Sequence, residues 1–128
     1  MEAIVLLGHG SRRPEASRDM ERIAAGLRER HGHALVAVCN MAQAEPLFPE
    51  TLAQCVAQGA TRVLVIPYFL HVGIHLRQDI PELLASEARK YPQAQVILGK
   101  HLGFDDILVD LVEKRVRESV ALPAVNLE

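Results

Sequence analysis

Tryptophan is absent from the 128 residues, and phenylalanine and tyrosine supply only three and two side chains. So few aromatic rings exclude the stacking platforms on which single-stranded nucleic acids are bound. Excess charge of one sign is also missing. Lys and Arg total 14 against 16 Asp and Glu, a formal charge of −2, which is no footprint for a phosphate backbone. Cysteine occurs only at Cys39 and Cys55, both in apolar segments and without Cys-x-x-Cys spacing, so the pair reads as small buried hydrophobes in a reducing compartment. No apolar run approaches the length of a membrane span, and Met1 and Glu2 lead into a short apolar run without a basic segment. The expectation is a cytoplasmic protein with no nucleic-acid or membrane partner.

Short apolar runs are plentiful. Ala3 to Leu7, Leu35 to Val38, Val63 to Ile66 and Gln95 to Leu98 have strand length, and their continuous apolarity is that of parallel strands covered on both faces. Helical periods lie between them. Ala16, Met20, Ile23, Ala24 and Leu27 share one stripe, with Pro14 suited to the first turn and Gly32 to the end. A second helix runs from about Pro49 to Gln58 with Leu52, Cys55 and Val56 inward. A third is expected to start at Asp79, where Glu82 completes a capping box and Pro81 fits the first turn. The last carries Phe104, Ile107, Leu108, Leu111, Val112 and Val116 on one side.

This alternation predicts a small doubly wound α/β domain over residues 1–120, a four-stranded parallel sheet with helices on both faces. Residues 121–128 form a tail that is either loose or packed on a second subunit. With strand order 2-1-3-4, ligands bind beyond the carboxyl ends of strands one and three, where the order reverses. The residues just after Leu7 and Ile66 are therefore the ones that bear on function.

After Leu7 comes Gly8-His9-Gly10-Ser11, then Arg12 and Arg13; after Ile66 comes "PYFLHVGIHLRQDIPE", holding His71, His75 and Arg77. A lone strand-end histidine is more commonly structural than functional. Two converging on one crevice can hold a transition metal or exchange protons near neutral pH. A helical His71–His75 pair would make a zinc half-site, but Gly73 and the lack of a capping signal favour a loop through this stretch. His31 and His33 flank a helix end and read as solvated, while His101, beside Lys100, lies at the carboxyl edge of the fourth strand. Arg12, Arg13 and Arg77 around the rim suit a substrate bearing several carboxylates, and the first helix's amino terminus adds its dipole.

"LLGHGSRRPE", "AEPLFPETLAQCVAQGATRVLVIPYFLHVGIHLRQDIPE" and "HLGFDDILVDLVEKR", in this order along nearly the whole chain, resemble the short sirohydrochlorin chelatases of the CbiX type. The resemblance implies one lobe of a chelatase-like fold, a homodimer, and insertion of a divalent metal into sirohydrochlorin on the way to cobalamin or sirohaem. It implies no prosthetic group. The metal is a substrate, cobalt being favoured over Fe2+ and Ni2+. Carried over, the metal-binding and catalytic histidines are His9 and His75. Gly10, Ser11, Arg12, Arg13 and Arg77 would bind the macrocycle, with Gly8 and Gly10 clearing room for its flat face. Where many relatives carry an acidic residue after the second strand, this chain has Ala42, with Gln43 and Glu45 nearby. Two rival readings follow from the same residues. One is a tetrapyrrole or metal carrier without turnover. The other is a histidine phosphatase, disfavoured because Gly8 stands where that family needs arginine.

Overall fold

The computed structural model describes residues 1–125. Four strands and four helices alternate along the chain: β1 (Glu2–Gly8), α1 (Pro14–His31), β2 (Leu35–Asn40), α2 (Phe48–Ala57), β3 (Arg62–Pro67), α3 (Ile74–Ala88), β4 (Gln95–Leu98) and α4 (Asp106–Ser119). The sheet is wholly parallel in the order β2-β1-β3-β4, as expected. In register, Leu7 of β1 lies between Cys39 of β2 and Pro67 of β3, so the connections after β1, β2 and β3 emerge side by side.

Alternate residues of the apolar strands feed two cores. Ala3, Val5, Leu7, Cys39, Val63 and Val65 face α2 and α3, joining Phe48, Leu52, Cys55, Ile80 and Leu84. Ile4, Leu6, Val36 and Val38 face α1 and meet Met20 and Ala24. Helix α1 begins at Pro14 and ends at Gly32, whose left-handed φ of 71° lets its N–H reach back to the Arg28 and Leu27 carbonyls. Ala16 and Ile23, expected inward, are exposed; α1 packs on β1 and β2 and leaves them beside its contact stripe.

Helix α3 corrects the expected boundary. It starts at Ile74, not at Asp79, so the supposed capping box lies mid-helix and Pro81 is an interior residue. An interior proline forfeits one hydrogen bond at a cost of about 3 kcal/mol. Burial of Ile80 and Leu84 returns about 1.5–3 kcal/mol each, and Leu76 and Leu83 pack on the same core. The apolar stripe therefore carries the helix through Pro81. Helix α4 forms where its periodicity indicates, capped by the Asp105 carboxylate, which accepts from the Ile107 N–H at 3.0 Å. None of its residues is buried. The tail continues exposed to Val125, and its last three positions, 126–128, lie outside the described residues. Among the described residues, no helix is long and apolar enough to cross a membrane.

Cys39 and Cys55 are free and buried, as their apolar surroundings suggest. Burial pushes the Cys39 thiol up to about 12, against a partial lowering by its hydrogen bond with Thr51. Burial raises Cys55 as well. An unfolded thiol ionises near 9, so the folded form holds on to its proton while the unfolded form loses it. The resulting stability is complete below pH 9 and drains away as pH rises toward 12. Between pH 9 and 11 the wild type should lose about 2 kcal/mol more than a Cys39→Ala variant. Parallel denaturant titrations at the two pH values measure the difference.

Candidate functional site

The β1 strand ends at Gly8, which is packed so closely that a Cβ there would lie 2.7 Å from the Met20 Sδ and 3.0 Å from the Asn40 Oδ1. The next residue, His9, stands exposed at the sheet's carboxyl edge. Its ring meets Phe69, just beyond β3, edge-on, with centroids 6.2 Å apart and planes at 86°. The topological switch point is thus spanned by a histidine from one connection and an aromatic ring from the other.

Gly10 follows with φ of 111°, a region unfavourable to any side chain, and a Cβ there would fall 1.8 Å from the Ala42 carbonyl oxygen. The packing adds a reason for glycine that the sequence does not show. Gly10 is required because backbone atoms occupy the space a side chain would need, whereas the space beside Gly8 is taken by the flexible end of Met20 and by Asn40. The Gly10 contact locates Ala42. It lies against the His9-Gly10 turn, in a connection held by the Met41 N–H donating to the Gly8 carbonyl and by the buried Asn40 side chain donating to the Ala44 carbonyl at 3.1 Å.

Two clefts open near this edge. The smaller, about 350 Å³, contains Gly8, His9, Gly10 and Ser11 together with Asp19, Asn40 and Phe69. The larger, about 770 Å³, lies between the start of α3 and the connection from β4 to α4; Arg77, Lys100, His101 and Asp105 line it over an apolar floor that includes Leu76 and Ile80. Arg77, Lys100 and His101 are therefore brought together on one rim. Neither cleft takes a side chain from Gln43 or Glu45, both exposed.

His75 is not on a loop, as Gly73 and the lack of a capping signal led one to expect, but is the second residue of α3, where it is exposed; His71 lies ahead of the helix, so the two do not form a helical i,i+4 pair. Arg12 and Arg13 are exposed just before α1, and the Ser11 hydroxyl accepts from the Arg13 N–H at 3.1 Å. Among the described residues, no three His, Cys, Asp or Glu side chains stand close enough together to hold a metal ion. Asp19 escapes sequence reasoning, although its place next to the inward Met20 on α1, one turn from the His9 loop, is a usable signal.

The model of the CbiX family matches residues 3–119. A chloroplast sirohydrochlorin ferrochelatase from Arabidopsis thaliana is 33% identical over 94% of this chain and 53% of its own length. A sirohydrochlorin cobaltochelatase from Methanococcus aeolicus is 30% identical over 91% of this chain and 99% of its own. Among solved structures, the sirohydrochlorin chelatase of Bacillus subtilis subspecies spizizenii in complex with cobalt superimposes with a TM-score of 0.82 at 31% identity, over 91% of this chain and 50% of that one. The chain thus spans about half the length of the Arabidopsis and Bacillus proteins and nearly all of the Methanococcus one.

Proposed function

The chain belongs to the CbiX family, and from that premise we propose that it is a sirohydrochlorin chelatase, inserting a divalent metal ion into the macrocycle as one lobe of a homodimer. Cobalt is the favoured metal and ferrous iron the second; the relatives divide between cobaltochelatase and ferrochelatase. The observation that carries the reading is the family match over residues 3–119 together with His9 at the β1/β3 switch point.

Metal insertion replaces two pyrrole protons with one cation, so a proton acceptor and a metal-presenting group must both reach the open face of the ring. His9 and His75 share these roles. His9 is steadied by Phe69, and His75 is carried on the first turn of α3. Gly10 and Ser11 contribute the turn beside His9, while Arg12, Arg13 and Arg77 hold the acidic side chains of the macrocycle in paired hydrogen bonds. Replacing Arg12 and Arg13 together by Ala should raise KM for sirohydrochlorin about tenfold with kcat little changed, because these contacts are the same in the ground and transition states. Initial rates over a range of macrocycle concentrations measure the split.

Ala42, and the absence of a three-donor cluster among the described residues, favour one alternative, a carrier that binds metal or tetrapyrrole without turnover. An anaerobic absorbance assay of sirohydrochlorin with cobalt or ferrous iron separates the two. Catalytic amounts of protein that exceed the spontaneous rate support the chelatase. A spectral change that stops at one equivalent of protein supports the carrier and overturns the proposal.

A further inference from the structure

The two clefts open on opposite faces of the sheet's carboxyl edge, and their linings differ in charge. The larger lies on the face covered by α2 and α3, where Leu76 and Ile80 meet the core, and it carries Arg77 and Lys100. Its one carboxylate, Asp105, is engaged by the Ile107 N–H. The smaller lies on the face covered by α1, against Met20. Among the described residues no Lys or Arg lines it, and its polar groups include His9, Asp19 and Asn40.

Asn40 is 4% exposed. Its Nδ2 donates to the Ala44 carbonyl, an acceptor that the amide oxygen cannot face, so Oδ1 turns toward Gly8 and the cleft. Among the described residues nothing donates to this oxygen, and no unpartnered side-chain oxygen is sealed from the surface, so Oδ1 is reached from the cleft. Asp19 is exposed and belongs to no ion pair among the described residues. A carboxylate, an open amide oxygen and an imidazole in one cleft form a donor set for a divalent cation, the amide adding an oxygen to the His9 and Asp19 pair. Size agrees with this division. The cleft of about 350 Å³ admits an ion with about six waters of roughly 30 Å³ each, whereas about 770 Å³ is the scale of an organic ligand.

We infer that the cleft on the α1 side is the port by which the divalent metal reaches His9, with the Asp19 carboxylate and the Asn40 amide oxygen replacing its first waters. The inference rests on the chelatase reading and deepens it by separating the routes of the two substrates. The acidic macrocycle is drawn to Arg77 and Lys100, whose charge repels a cation. A ring seated across the carboxyl edge covers that edge, which leaves the ion to arrive from the α1 side. Asp19 acts on arrival, and the ion then passes to the histidines.

Equilibrium dialysis of the full chain against cobalt, without macrocycle, tests the port. Asp19→Asn should weaken binding about tenfold, through loss of one negative charge beside the cation. Asp19 is exposed, so the variant should fold. Glu15→Gln removes the same charge from α1 outside the cleft and should bind cobalt as the wild type does. Zinc should shift the Asn40 side-chain amide resonance, and Asp19→Asn should need about tenfold more zinc for the same shift. In turnover, Asp19→Asn should raise KM for cobalt about tenfold, with kcat and KM for sirohydrochlorin within about twofold of wild type. The inference is overturned by no cobalt bound to the wild type, by unchanged affinity in Asp19→Asn, or by an equal loss in Glu15→Gln. An unmoved Asn40 resonance, or a KM for the macrocycle that rises as much as that for cobalt, overturns it too. Without turnover the chelatase reading fails, while dialysis and the zinc titration still decide whether this cleft takes the ion.

Discussion

His9→Ala and His75→Ala should each lower the rate of sirohydrochlorin metallation by about 10²–10⁴-fold, the range spanned by loss of a positioned proton-transfer group. Both side chains are exposed, so the same substitutions should leave unfolding free energy within about 0.5 kcal/mol of wild type. The pair of readouts matters. A rate lost together with stability would point to local unfolding. Wild-type rates in both variants would remove the site assignment. His9→Gln, which keeps a polar donor and acceptor but cannot take up a proton near neutral pH, should resemble the alanine variant if proton transfer dominates. His75→Ala should in addition leave the helix content unchanged, because the first turn of α3 is held by the Arg77 N–H on the Gly73 carbonyl and by Leu76 on the core, not by the imidazole.

Gly10→Ala should be the most damaging single-methyl change in the molecule. The backbone there has φ of 111°, which alone costs a substituted residue about 1–3 kcal/mol. The new Cβ would also lie 1.8 Å from the Ala42 carbonyl oxygen, and that oxygen is backbone, so it cannot swing aside as a side chain would. One of the two connections must move. Denaturant unfolding should show a loss of about 3 kcal/mol or more, with metallation abolished because His9 moves with its turn. A variant of wild-type stability would mean that the β1–α1 and β2–α2 connections are not packed together in solution.

The strands were legible because burial on both faces requires continuous apolar runs, and such runs stand at all four strand positions. The switch point followed from their order, so the edge bearing His9 could be located before any side chain was placed. The start of α3 was not legible. Gly73 reads as a breaker and Pro81 as a first-turn residue, whereas the deciding quantity is the core contact made by Leu76, Ile80 and Leu84, which depends on the sheet being present. Helix α4 shows a different limit. Its periodicity reveals an apolar side, but periodicity cannot say whether the surface that covers it belongs to the same chain. Asp19 and Asn40 beside His9, and the Gly10–Ala42 contact, bring together residues far apart in sequence and follow only from the packed connections.

In the proposed site, the methyl group of Ala42 would bear on how long a metal stays. Two imidazoles are neutral donors, so in the proposed site the cation retains its whole double charge, where a carboxylate at this position would cancel part of it. Hard ions that depend on anionic oxygen are held poorly by such donors, while cobalt, nickel, iron and zinc are accepted. The grip is also lighter. A protein for which the metal is cargo must surrender it on every cycle, and a short residence time serves delivery better than a deep well would. On this account the missing carboxylate shifts the protein from retention toward hand-over, with loading set by the supply of free metal.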